Sequence, residues 1–133
     1  MKPLPVIDGD NAVDAIHGLM REHPHLAHHI KRLGFELLRH AKGLRDGRAK
    51  RTYDLGFVDD RRQFADLTAK SRKHNRATDG QLQVQLLYEG DRDIRPFEIK
   101  GWQSEKDRGW HATQLTEDGD VTPLLDAIKS VLG

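Results

Sequence analysis

Basic side chains that could bind an anionic ligand are concentrated in one part of this 133-residue chain. Residues 31–76 contain 14 Lys and Arg against 6 Asp and Glu, a segment charge of +8, whereas the rest of the chain carries −7. This separation indicates a basic surface that faces a polyanion or an acidic protein. Several cations on one face can displace counterions from nucleic acid, and aromatic rings among them can stack on unpaired bases.

Helical spacing predicts which of these side chains share a surface. On a helix predicted over residues 24–45, cations fall on one side around Phe35, and more cations follow in a loop. The predicted nucleic-acid-binding residues are Lys31, Arg32, Phe35, Arg39, Lys42, Arg48, Lys50 and Arg51. Nothing resembles a helix that reads base edges, so the sequence predicts a non-enzymatic accessory protein that binds DNA or RNA without reading its sequence. If about six phosphates are contacted, log K falls with log salt at a slope near −5.

A second pattern lies further along the chain, in Glu98-Ile99-Lys100, with Asp79 at the start of the preceding predicted strand. It resembles the core of PD-(D/E)xK nucleases, and that resemblance implies Asp79 and Glu98 as ligands of a divalent metal and Lys100 as the catalytic lysine. Thr78 stands where that family has Pro, and Pro96 interrupts the hairpin. The other interpretation of Glu98 and Lys100 is a cross-strand charge pair on an exposed face.

A third hypothesis is that the basic face binds an acidic protein or a second copy of this chain. The charge of −7 outside residues 31–76 complements the +8 inside, and such separation can steer association. Trp102 or Trp110 could supply the apolar centre of such an interface. A dimer is therefore expected slightly more often than a monomer.

Histidines crowd the start of the predicted second helix, where His25 and His29 have the i, i+4 spacing that zinc sites use. Spacing identifies no third ligand, so the prediction is an exposed, pH-sensitive patch and no bound metal or other cofactor. The chain has no cysteine, which excludes disulfides, thiolate zinc sites and cysteine nucleophiles.

Hydrophobic periodicity predicts one α+β domain over residues 1–133, with N-terminal helices, a three-stranded antiparallel meander and a C-terminal helix. Helices are expected near 11–22, 24–45, 61–74 and 121–132, and strands near 81–89, 94–102 and 109–116. The predicted core comprises Leu26, Ile30, Leu33, Leu37, Leu44, Phe64, Val84, Leu86, Ile99, Leu125 and Ile128. Strand structure within residues 26–44 would contradict this arrangement.

Long apolar segments are absent from the sequence. No run approaches the roughly 18 apolar residues that a membrane span requires, and the first residues lack the apolar stretch of a signal peptide. A cytoplasmic protein is the resulting expectation.

Overall fold

Five strands, each hydrogen-bonded to its neighbour in the sequence, form an antiparallel sheet in the order β1-β2-β3-β4-β5. The computed structural model describes residues 5–48, 52–70, 80–90, 94–97 and 109–133. The strands are β1 (Gly43–Arg48), β2 (Thr52–Val58), β3 (Gln63–Lys70), β4 (Gln81–Leu87) and β5 (Trp110–Thr116). The helices are α1 (Gly9–Glu22), α2 (Ala27–Arg39, after a 3₁₀ turn over Pro24–Leu26) and α3 (Thr122–Leu132). The fold is therefore α+β.

One apolar core joins the helices to the sheet. Alternate strand residues such as Leu55, Leu67 and Val84 are buried against the apolar sides of the helices, as the two-residue period of a strand requires. All the predicted core residues that the structure describes are buried, and Ile99 lies outside the described residues. No helix in the described ranges is long and apolar enough to cross a membrane.

The prediction of a helix up to residue 45 was wrong, because α2 ends at Arg39 and β1 begins at Gly43. Leu44 is fully buried. It follows Leu37 by seven residues, so in the sequence it continued the apolar repeat of the helix. In the structure it pairs with Phe57 of β2 and faces the same core from a strand. Gly43 and Gly47 are poor helix formers and favour this ending. Ile7 pairs with Leu44 on the other side of β1 and partly covers that edge.

The predicted helix over residues 61–74 was also wrong, since residues 63–70 form β3 and residues 71–74 lie outside the described part. Phe64 and Leu67 have helical spacing, but an irregularity in the β2–β3 register beside Val58 explains how both become buried. In the turn between β2 and β3, Asp59 accepts hydrogen bonds from the backbone N–H groups of Arg61 (2.8 Å) and Arg62 (2.9 Å). These bonds lower the pKa of Asp59.

The sheet has five strands and not the three of the predicted meander. Strands β1–β3 lie in the part of the chain for which helix and loop were predicted. Strands β4 and β5 and helices α1 and α3 lie close to their predicted positions. The strand predicted over residues 94–102 is contradicted at its start, where Phe97 N–H donates to the Ile94 carbonyl (2.8 Å) in a turn. Residues 98–102 lie outside the described part.

Candidate nucleic-acid interface

An open groove of about 800 Å³ lies between α2 and α3. Phe35 and Leu38 of α2 and Leu125 of α3 supply its apolar surface, and four cationic side chains border it. The lining residues are His28, Lys31, Arg32, Phe35, Glu36, Leu38, Arg39, Leu125 and Lys129. The groove thus combines apolar surface with a cationic border.

The two sides of α2 separate the core from the groove. Ile30, Leu33 and Leu37 recur at steps of three and four and are fully buried. Residues 28, 31, 32, 35 and 39 each lie three or four residues from another member of this set, and they line the groove together. The same helical period therefore anchors α2 in the core and presents its cations on the other side.

Phe35 is held in place by α1. Its ring and that of His17 lie edge to face, with centroids 5.8 Å apart and planes at 77°. Phe35 is half-buried, and it lines the groove as well as contacting His17. The contact with His17 and packing against the core restrict the Phe35 ring, so less conformational entropy is lost when a ligand packs on it.

Glu36 is the one carboxylate among the groove-lining residues, and three cationic or titratable groups surround it. Its oxygens lie 3.4 Å from Arg39 Nη1, 3.0 Å from His40 Nε2 and 3.9 Å from Lys129 Nζ. The Glu36 side chain is 9% exposed, whereas those of Arg39 and Lys129 are 72% and 57% exposed. Glu36 therefore links α2 to α3 beneath the groove, and the two cations remain accessible.

His29 joins the start of α2 to the turn that leads into α3. Its Nε2–H donates to the carbonyls of Thr116 (2.9 Å) and Glu117 (3.0 Å), and the side chain is buried. Burial, followed by the nearby His28, lowers the pKa of His29 although the two hydrogen bonds oppose this change. The prediction that this histidine belongs to an exposed patch was wrong. His29 instead helps to fix the two helices that form the groove.

The structure brings together four of the predicted binding residues and separates one. Lys31, Arg32, Phe35 and Arg39 line the groove. Lys42 instead forms an ion pair with Asp60 in the β2–β3 turn, which raises the Lys42 pKa. Lys50, Arg51 and the side chain of Arg48 lie outside the described residues.

Five of the groove-lining residues were not among the predicted binding residues: His28, Glu36, Leu38, Leu125 and Lys129. His28 could have been included, because it lies three and four residues before Lys31 and Arg32 on the same helical face. Leu125 and Lys129 come from the acidic part of the chain, and no sequence signal pairs α3 with α2. Their position depends on the tertiary packing of the two helices.

The residues of the nuclease resemblance, Asp79, Glu98 and Lys100, all lie outside the described residues. Within the described ranges, no group of three or more His, Asp or Glu side chains is placed to hold a metal ion.

Comparisons with known proteins add no relative. No protein-family model matches the chain, and no curated protein or solved structure shows significant similarity to it.

Proposed function

We propose that this protein binds nucleic acid through the groove between α2 and α3, as a non-enzymatic accessory protein that does not read base sequence. The observation that carries the proposal is the position of Phe35, which lines the groove together with Lys31, Arg32 and Arg39. Cations attract phosphates, and an aromatic surface accepts the face of a base. A cytoplasmic location is part of the proposal.

Charge in the groove favours an anion despite the presence of Glu36. Four cations (Lys31, Arg32, Arg39 and Lys129) line it against this single carboxylate. Their long side chains can each approach a different phosphate. With four phosphates neutralised on a single strand, log K would fall with log salt at a slope of about −3. This is shallower than the slope near −5 expected when the loop cations also contribute.

The test is fluorescence anisotropy with labelled 20-nucleotide DNA and RNA, single-stranded and duplex, over a salt series. The double variant Lys31→Ala/Arg32→Ala should weaken binding about tenfold at 50 mM salt and reduce the slope by about 1.4 on single strands. Arg61→Ala is the matched control, since it removes an exposed cation in the β2–β3 turn and should leave binding unchanged.

Several outcomes would overturn the proposal. One is the absence of binding to any of these oligonucleotides at 50 mM salt, and another is binding that the double variant leaves intact. Polyglutamate that binds more tightly than the oligonucleotides would favour an acidic protein partner instead. Cleavage that requires Mg²⁺ and is lost in Glu98→Gln would favour the metal-dependent nuclease.

A further inference from the structure

Phe35 occupies the middle of the cationic face of α2. It follows Arg32 by three residues and precedes Arg39 by four, so the three side chains lie along one side of the helix. Arg32 and Arg39 are separated by about 10 Å along the helix axis, from a rise of about 1.5 Å per residue. The aromatic ring is therefore placed where a strand that contacts both arginines would present a base.

The residues that line the groove suit a ligand that has a flat, largely apolar ring joined to charged groups. Phe35, Leu38 and Leu125 form the apolar surface, while Lys31 and Lys129 lie on different helices. A volume of about 800 Å³ is within the range of small-ligand sites, about 300–1,000 Å³. A base can pack on the apolar surface while its flanking phosphates remain near the cations.

A duplex fits this surface poorly. The major groove of DNA is about 12 Å wide and admits one helix, whose own diameter is about 10–12 Å. Helix α2 does not project from the protein by itself, as a helix that enters the major groove must. Helix α3 forms the other wall of the groove, and His17 of α1 contacts Phe35. In addition, the faces of paired bases are covered by stacking on their neighbours and cannot reach Phe35.

We infer that the groove is selective for single-stranded nucleic acid, with one unpaired base stacked on Phe35 and its flanking phosphates near Lys31, Arg32 and Lys129. This inference rests on the proposed function and adds the class of ligand to it. Phe35 is the one Phe, Tyr or Trp among the described groove-lining residues and accounts for one stacked base, and the cations provide the remaining attraction without sequence readout.

The first experiment compares Phe35→Leu with Phe35→Tyr on a single-stranded 20-mer and on its duplex. Leu retains apolar volume but removes the ring, so single-strand affinity should fall about 5- to 100-fold. Tyr should retain most of it. The salt slope should not change in either variant, because no charge is removed. Duplex binding should be weaker in the wild type and insensitive to Phe35→Leu.

The second experiment uses a strand of the same length in which the bases are replaced by abasic sites. It keeps every phosphate, so its binding to wild-type protein should fall to the level of Phe35→Leu with the normal strand. DNA and RNA strands are both used, and each should lose affinity on the same substitution. Thermal unfolding of both Phe35 variants verifies that they remain folded.

The outcomes separate the inference from the function on which it rests. Equal affinity for single strands, duplex and the abasic strand, with no effect of Phe35→Leu, would overturn the inference and leave nucleic-acid binding intact. No binding to any of them would overturn both. A loss in Phe35→Leu that is equal on duplex and single strand would also overturn the inference, since it would indicate a general disturbance of the groove.

Discussion

Asp66 of β3 lies opposite Gly56 of β2, two residues from Asp54, so Asp54 and Asp66 occupy neighbouring strand positions that alternate with the core residues. Asp66 accepts from the Thr68 hydroxyl (2.5 Å) and from Gln63 Nε2 (3.1 Å). Burial of Asp66 is the largest cause that raises its pKa to about 8, and the Asp54 charge adds to it.

The first prediction is that this pair makes the folded protein less stable as the pH rises. The folded-state pKa of Asp66 is about 8, above the value of about 3.9 in an unfolded chain. The folded state therefore binds more protons between these values, and the free energy of unfolding falls from about pH 4 to about pH 8. Asp66→Asn mimics the protonated form and should be about 2 kcal/mol more stable than wild type at pH 9.

Urea unfolding at pH 4.5, 7 and 9 measures this effect. The advantage of Asp66→Asn should shrink or reverse at pH 4.5, where the wild-type residue holds its own proton. Asp118→Asn is the control, because it removes an exposed carboxylate in the turn before α3. A pH-independent difference between Asp66→Asn and wild type would contradict the raised pKa of Asp66.

The second prediction concerns Gly56, over which the side chain of Gln63 lies. A Cβ at residue 56 would collide with the amide group of Gln63, which donates to Asp66. Gly56→Ala should displace Gln63, remove that hydrogen bond and lower the free energy of unfolding by at most about 1 kcal/mol, because the Gln63 side chain is flexible and alanine is favoured over glycine in a strand. The double variant Gly56→Ala/Gln63→Ala removes the collision, so it should be less destabilised than the sum of the two single variants. Additive losses would contradict this account.

The third prediction is a loss of stability in acid that depends on His29. Its pKa is lowered in the folded state, so the unfolded chain binds more protons at pH values below about 6.5. Stability is therefore fully present above about pH 6.5 and is lost as the pH falls towards the folded-state pKa. His29→Gln can keep a donor near the Thr116 carbonyl without titrating, so its melting temperature should fall less than that of wild type between pH 7 and pH 5.

His28→Gln provides the comparison for this measurement. It removes the exposed neighbouring imidazole, whose charge also lowers the His29 pKa, and should reduce the acid sensitivity without abolishing it. Equal acid sensitivity in wild type and His29→Gln would show that other groups govern the transition.

Helices α1 and α3 and strands β4 and β5 could be predicted because their patterns are local. The Leu82, Val84, Leu86 alternation specifies a strand without knowledge of its partners. Strand β3 could not be identified this way, since Phe64 and Leu67 would be buried in a helix as well as in a strand. Only the pairing of β3 with both β2 and β4 distinguishes the strand from the helix. The end of α2 was obscured for the same reason, because Leu44 fits the core from a helix or from a strand.

Only the part of the groove that lies on a single helix, α2, could be predicted from the sequence. Lys31, Arg32, Phe35 and Arg39 share a face of α2, and the helical period alone places them together. The contribution of Lys129 depends on α3 packing beside α2, which the sequence does not encode in any short pattern. The Asp54–Asp66 pair likewise depends on the register of β2 against β3, which places Asp66 opposite Gly56, two residues from Asp54.

The last prediction uses Glu36 to test whether the groove is the binding surface. Glu36→Gln removes the negative charge that contacts Arg39 and Lys129. Both cations line the groove, so affinity for a single-stranded oligonucleotide should rise about 3- to 10-fold at 50 mM salt, with a steeper salt slope. The free energy of unfolding should fall by about 1 kcal/mol, because the partners are largely exposed.

Asp60→Asn is the matched control, since it frees Lys42 from an ion pair outside the groove. Binding confined to the groove predicts tighter binding for Glu36→Gln and no change for Asp60→Asn. A gain for both variants would extend the surface to Lys42, as the sequence alone predicts. Weaker binding by a Glu36→Gln protein that thermal unfolding shows to be folded would contradict the electrostatic role of the groove, because removal of this carboxylate should raise affinity.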